Sequence, residues 1–186
     1  MPDLRKQQLD AAQEFATATI AALKLPNGVH PATVVAATAR MAGTYLFRSF
    51  ALALPGVKPG QAVLSEAANE QAPVLMQIAA GVLDRVGIRL GDAESGKTTD
   101  PGHRPMLEFL DTQRLLEPLY APIKARHGLT MAEAAQSVAV ATALLIRHGA
   151  KFLDTNVAFG IAAYGFIEGS KTAPDPVENP RDSAGP

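Results

Sequence analysis

Hydrophobic positions along the chain follow helical spacing almost throughout, and one segment is apolar on nearly every side. This segment, residues 31–54, reads PATVVAATARMAGTYLFRSFALAL and carries only two charged residues, Arg40 and Arg48. A helix that is apolar all round must be enclosed by other elements of the protein. We therefore predict that residues 31–54 form the buried central helix of an all-α protein.

The same periodicity predicts a single-domain bundle of about six or seven helices around this central helix. In residues 3–25 apolar side chains recur at helical spacing, and a Pro-Asn-Gly turn at 26–28 ends that helix. Thr130 and Glu133 form a capping box, which predicts that another helix begins there. Further helices are predicted in residues 62–86, 106–117 and 150–168. The pattern leaves open whether residues 118–127 continue the helix before them, because two prolines interrupt it.

Glycines in the last predicted helix indicate close packing against a neighbour. Gly160 and Gly165 lie in its interior, where each glycine costs about 1 kcal/mol relative to alanine. A close approach of two backbones would account for that cost. The predicted neighbour is the central helix, which carries Ala39 and Gly43 one turn apart.

Polar and proline-rich stretches set the predicted domain limits. We expect a helical domain at residues 1–169, an exposed polar loop at 88–105 and a disordered tail at 170–186. The loop is rich in glycine and charge, and the tail contains four prolines but no large apolar residue except Val177.

Composition narrows the class of function. The chain has 186 residues, a net charge of −1 and a pI of about 6.4. It therefore lacks the excess of basic residues that would favour binding to nucleic acid or to a membrane surface. It has no cysteine, which excludes disulfides, thiolate catalysis and cysteine-bound metals. No histidine follows a glutamate at the Glu-x-x-His spacing of a di-metal helix bundle. We expect a cytoplasmic protein without a cofactor, metal or catalytic site, and no span of a membrane.

One group of charged residues predicts a polar site inside the bundle. If the central and third helices form a tight antiparallel hairpin, Arg48 comes level with Glu66 and Glu70, which lie four residues apart on one helix face. Asn69 is adjacent, and Arg40 lies two turns further along the central helix. Two interpretations remain open. The residues form a structural ion pair, or they form the floor of a pocket that binds a small carboxylate or phosphate.

A glycine-rich segment in the polar loop suggests a different ligand. Residues 91–98 read GDAESGKT and match the pattern G-x-x-x-x-G-K-[ST]. The segment resembles the phosphate loop of P-loop NTPases, which implies nucleotide binding by Gly96, Lys97 and Thr98. That loop requires a buried strand before it and a helix after it, but only the short piece Ile88-Arg89-Leu90 precedes it, and residues 99–102 read TDPG. The context therefore argues against nucleotide binding.

Apolar helical surface supports the leading functional hypothesis. Residues 31–54, 130–146 and 157–167 together offer more small and apolar surface than one shell of amphipathic helices needs. We expect a non-enzymatic interaction module that self-associates, most simply as a homodimer. A bundle that binds a small anion is the second hypothesis, and a nucleotide-binding protein is the third.

Overall fold

The protein is a bundle of helices. The computed structural model describes residues 4–91 and 101–177. Its α-helices are α1 (Lys6–Ala22), α2 (Pro31–Ser49), α3 (Glu66–Arg85), α4 (Phe109–Arg126), α5 (Met131–Gly149) and α6 (Thr155–Ser170). A 3₁₀ turn at Pro101–His103 precedes α4. The described residues form no β-strand, only two isolated bridges, so the all-α prediction is confirmed.

Helix α2 lies at the centre of the bundle, as predicted. Every residue from Ala32 to Phe47 is buried, and α2 contacts all five other helices. Its first turn is capped by His30, whose Nδ1 accepts a hydrogen bond from the Thr33 N–H at 3.3 Å. Pro31 occupies the first helical position, where its missing N–H costs nothing.

The C-terminal limit of the central helix was predicted too late. Helix α2 ends at Ser49 rather than Leu54. Ala51 has a φ of 48°, in the left-handed region that a right-handed helix cannot contain. Residues 50–65 then form a long connection to α3, instead of the tight turn that the sequence suggested.

Prolines do not divide the helices that contain them. Helix α3 continues through Pro73, and α4 continues through Pro118 and Pro122. Residues 118–126 therefore extend the preceding helix, which answers the question left open by the sequence. Tyr120 on this extension is fully buried and brings α4 into the core.

An aromatic cluster joins three helices in the core. The ring of Phe15 from α1 lies 4.6 Å from that of Tyr120 in α4 and 6.5 Å from that of Tyr45 in α2, measured between centroids. The Tyr120 hydroxyl is hydrogen-bonded to Thr19. Since aromatic pairs add to the stability gained by burial, this cluster fixes α4 against α1 and α2.

Helices α2 and α6 pack with their backbones in contact. A β-carbon added to Gly165 would lie 2.8 Å from the Ala39 β-carbon, and one added to Gly43 would lie 2.6 Å from the Phe166 carbonyl oxygen. The tightest point is Gly169, where an added β-carbon would lie 2.2 Å from the Arg40 carbonyl oxygen. The predicted close approach of Gly165 to α2 is thus confirmed.

The first part of the predicted tail is folded against the bundle. Ser170 belongs to α6, and Ala173 is fully buried. Residues 171–173 pair with the connection after α2: the Gly60 N–H donates to the Ala173 carbonyl at 2.8 Å, and the Ala173 N–H donates to the Gln61 carbonyl at 2.9 Å. This part of the tail is ordered because its backbone groups find partners in the connection. Residues 178–186 lie outside the described residues.

Among the described residues, no helix taken singly combines the length and apolar character needed to cross a bilayer. Helices α4 and α5 together meet the length and composition criteria, but they bend by 113° at the break between them.

Candidate functional site

Arg48 faces α4, not α3. Its side chain is only 3% exposed, and its Nε lies 3.0 Å from Oε1 of Glu117. A second guanidinium nitrogen donates to Oε2 of the same carboxylate at 3.2 Å. The expected pairing of Arg48 with Glu66 and Glu70 is therefore wrong.

The error has a physical cause in the connection after α2. The predicted register required a tight antiparallel hairpin, but residues 60–63 of the connection pair with residues 171–173, and α3 packs mainly on α5 and α6. Glu66, Asn69 and Glu70 consequently lie exposed on the outer side of α3.

Gln113 completes a buried polar cluster with Arg48 and Glu117. Its side chain is almost fully buried, and its Nε2 donates to Oε2 of Glu117 at 2.6 Å. The same nitrogen donates to the Asp175 carbonyl at 2.6 Å, while the Gln113 Oε1 accepts from the Asp175 N–H at 3.0 Å. One amide side chain thus satisfies both backbone groups of Asp175. We call Arg48, Gln113 and Glu117 the polar cluster.

Arg48 holds the next peptide unit of the same segment. Its guanidinium donates to the Pro176 carbonyl at 3.1 Å and to the Asp175 carbonyl at 3.4 Å. The hydrogen bonds described above from the polar cluster to residues 175 and 176 go to main-chain atoms. The polar cluster therefore holds this part of the chain through its backbone.

The polar cluster contains an ion pair that also acts on a neighbouring tyrosine. Arg48 and the Glu117 carboxylate form a hydrogen-bonded ion pair, the kind of pairing that a charge taken out of water requires. Tyr45 lies close enough for the Glu117 charge to act on it. Burial, followed by that negative charge, raises the pKa of the Tyr45 hydroxyl well above its ordinary range.

A surface groove of about 380 Å³ opens beside the polar cluster. Its rim carries Arg114, whose guanidinium lies 3.8 Å from the Asp175 carboxylate. The groove is lined by Gln113, Arg114, Glu117, Pro118, Ala121 and Asp175. Charges of both signs line it, from Arg114, Glu117 and Asp175.

Arg40 belongs to a separate ion pair. Its side chain is 8% exposed, and its Nε lies 2.5 Å from Oε2 of Glu168 on α6. It also donates to the Leu107 carbonyl. Arg40 therefore ties α2 to α6 and to the residues before α4, and it takes no part in the polar cluster.

Glu70 lines a different groove, of about 380 Å³, between α2, α3 and α5. Its other lining residues are Leu46, Ser49, Phe50, Ala67, Gln71 and Ala132. Among these described residues Glu70 carries the only charge. An anion needs a cation here, and Arg48 is directed elsewhere, so the predicted pocket with Arg48, Glu66 and Glu70 on one floor is not formed.

The phosphate-loop pattern falls almost wholly outside the described residues. Of residues 91–98 only Gly91 is described, and its N–H donates to Oδ1 of Asn156 at 2.7 Å. Gly96, Lys97 and Thr98 lie in the part that is not described. The residues that follow form the turn at Pro101–His103, where the Gly102 carbonyl is hydrogen-bonded to His30. In the described ranges no group of three or more metal-ligating side chains comes together.

Helix α6 keeps an exposed apolar side. We define the outer face of α6 by Tyr164 and Ile167, which are 65% and 40% exposed and lie one turn apart. The helix contains one charged residue, Glu168, and that residue is paired with Arg40. Of the three apolar stretches in the sequence, those in α2 and α5 are almost wholly enclosed within the chain, whereas α6 is not.

Sequence reasoning missed Gln113, Glu117 and Asp175. One signal was present, because Gln113 and Glu117 are four residues apart and therefore share a helix face. Asp175 had no such signal, since its main chain rather than its side chain makes the contacts to the polar cluster.

Searches against protein-family models, curated proteins and solved structures found no match to the chain.

Proposed function

We propose that the protein is a non-enzymatic cytoplasmic interaction module that self-associates as a homodimer through the outer face of α6. The observation that carries this proposal is the exposure of Tyr164 and Ile167 on a helix with a single, already paired charge. A surface helix normally presents charged residues to water, because its polar face is the exposed one.

The composition of this face suits a contact between two protein surfaces. Tyrosine is enriched at interfaces because it combines a large apolar ring with a polar tip. Tyr164 and Ile167 are neighbours on the helix surface, so they form one continuous patch. In a two-fold dimer the same patch occurs on both copies, and the apolar side of each α6 covers the other.

The alternative functions lack a comparable observation. The small-anion hypothesis needs Arg48 to be available, but Glu117 and the backbone of residues 175 and 176 engage it. The nucleotide hypothesis depends on Gly96, Lys97 and Thr98, which lie outside the described residues.

Light scattering after gel filtration tests the proposal. At tens of micromolar the wild-type chain should elute at about twice its monomer mass of 19.5 kDa. Ile167→Glu and Tyr164→Lys should each weaken the dimer by at least about tenfold, because a charge would then be buried in the contact.

A matched control uses an exposed apolar residue on another helix. Leu9 on α1 is 45% exposed, close to the value for Ile167, and Leu9→Lys should leave the dimer unchanged. The proposal fails if the wild-type chain is a strict monomer, or if Leu9→Lys weakens the dimer as much as Ile167→Glu does.

A further inference from the structure

The groove between α2, α3 and α5 is a concave surface that the proposed dimer does not use. Its described lining residues come from these three helices and from Phe50 at the end of α2, and none belongs to α6. We infer that this groove binds a small organic cation, namely a primary ammonium group carried on an apolar chain. The inference goes beyond the proposed self-association and does not depend on it.

Two helix faces form the walls of the groove. Each wall is a set of three side chains at the spacing i, i+3, i+4, so the members of each set share one face at the end of a helix. The sets are Leu46, Ser49 and Phe50 at the end of α2, and Ala67, Glu70 and Gln71 at the start of α3. The groove volume of about 380 Å³ lies within the range of about 300–1,000 Å³ that small-molecule sites occupy.

The apolar side chains of the groove suit a hydrocarbon chain. Leu46 is almost fully buried, Phe50 and Ala67 are half-buried, and Ala132 at the start of α5 is exposed beside them. A ligand that covers these side chains removes apolar surface from water, which is favourable. The groove therefore favours a ligand with an apolar part over a hydrated inorganic ion.

The polar side chains of the groove supply oxygen acceptors. Glu70 carries a carboxylate and Gln71 an amide oxygen. The Ser49 hydroxyl donates its hydrogen to the Leu46 carbonyl at 2.6 Å, so its oxygen remains as an acceptor. An ammonium group has three N–H donors and no acceptor, which matches this set. Among the described lining residues no cation is present to compete for these oxygens.

No contact inside the described part of the chain accounts for the charge of Glu70. Its carboxylate is exposed, and in residues 4–91 and 101–177 no group forms a hydrogen bond or an ion pair with it. Glu66 lies in the first turn of α3, where the helix dipole stabilises a carboxylate, but Glu70 lies beyond that turn. A carboxylate at the edge of an apolar groove can therefore pair with a cation from outside.

Titration of the full-length chain with n-hexylamine, followed by two-dimensional ¹H–¹⁵N NMR, tests the inference. The amine is a cation at neutral pH, because its pKa is close to that of lysine, about 10.4. We expect it to shift the backbone signals of Ser49, Ala67 and Gln71 with a dissociation constant of about 1 mM. Hexanol lacks the charge, hexanoate reverses it, and methylamine lacks the chain. Each of these probes should bind at least about fivefold more weakly than hexylamine.

Two glutamate variants form a matched pair. Glu70→Gln removes the carboxylate from the groove and keeps the size of the side chain, so it should weaken hexylamine binding about fivefold, the upper end for an exposed ion pair. Glu66→Gln removes the same charge from the same helix one turn away, outside the described lining of the groove. It should change the dissociation constant by less than about twofold at 0.15 M salt, because charge at a distance is screened. Circular dichroism checks that both variants are folded.

Three results would overturn the inference. The first is equal weakening by Glu66→Gln and Glu70→Gln, since the amine would then respond only to overall charge. The second is binding of hexanol or methylamine as tight as that of hexylamine, or no shift of the groove signals at about ten times the expected dissociation constant. The third is tighter binding of Nα-acetyl-lysine methylamide, which would identify a protein lysine rather than a free amine as the occupant. Light scattering measures the proposed dimer separately, so either proposal can fail without the other.

Discussion

Replacing Gly169 by alanine gives the most direct test of the α2–α6 packing. The added β-carbon would lie 2.2 Å from the Arg40 carbonyl oxygen, 2.9 Å from the Gly43 α-carbon and 3.0 Å from the Thr44 nitrogen. All three are backbone atoms, so no change of side-chain rotamer can relieve the contact. The two helices must separate by about 1 Å, which loses part of the van der Waals attraction along their length.

Two opposing effects set the size of the change. Inside a helix, alanine is more favourable than glycine by about 1 kcal/mol of folding free energy. Overpacking a close-packed core typically costs about 1–3 kcal/mol, and backbone contacts as short as these belong at or above the upper end. We therefore expect Gly169→Ala to lower the free energy of unfolding by about 2 kcal/mol. In a protein of this size that corresponds to a fall in melting temperature of about 4–8 °C.

Urea unfolding followed by circular dichroism at 222 nm measures the change, since the chain contains no tryptophan. Gly149→Ala is the matched control. Gly149, like Gly169, lies in the last turn of a helix and has an ordinary φ, but an added β-carbon would only touch the Pro31 side chain at 3.7 Å. The control should be neutral or slightly stabilising. If Gly169→Ala is as stable as Gly149→Ala, the backbones do not touch and our account of the packing is wrong.

Three further predictions concern charged and titrating groups. Glu117→Ala should lower the free energy of unfolding by about 3 kcal/mol in urea titrations, because it removes a carboxylate that pairs with the buried Arg48 guanidinium; a loss below about 1 kcal/mol would contradict this. Hydrogen bonds from an arginine and a histidine near the end of α4 lower the pKa of Glu14. The ionised Glu14 therefore adds to the free energy of unfolding at neutral pH, and this contribution is lost below about pH 4. Glu14→Gln should therefore show a shallower fall of the urea midpoint between pH 6 and pH 3 than wild type, and equal slopes would refute the linkage. Burial raises the pKa of Tyr120 to about 12 and that of Tyr45 still further, so stability should fall above about pH 10, where the unfolded chain loses these protons first. At pH 11 the absorbance of the folded protein at 295 nm should lie well below that of the chain in urea, and equal absorbance would contradict the burial of these rings.

The helices and the central position of α2 could be predicted because they depend on local patterns. Residues 31–49 are apolar on nearly every side, so their burial follows from the sequence. The capping box at Thr130 marks the start of α5 at the predicted place. The approach of Gly165 to the central helix could also be predicted, since a glycine inside a helix needs a packing reason.

The partner of Arg48 could not be predicted in the same way. Its position in space depends on how residues 50–65 leave α2, and the left-handed Ala51 that redirects them has no signature in the sequence. The hydrogen bonds that hold Asp175 involve its backbone, which is the same at every non-proline position. A contact of that kind carries no residue-type signal, so only the fold reveals it.

The pairing of α2 with α6 also sets an order of events during synthesis. Arg40 and Glu168 are separated by 128 residues, so most of the chain must be made before α2 can meet the helix that covers its glycine side. At typical rates of translation this takes roughly 6–25 s. During that interval the most apolar surface of the protein lacks its main cover. Contacts so distant in sequence also slow folding after release. We expect the nascent chain to depend on α5, the other large partner of α2, to shield this helix until α6 arrives.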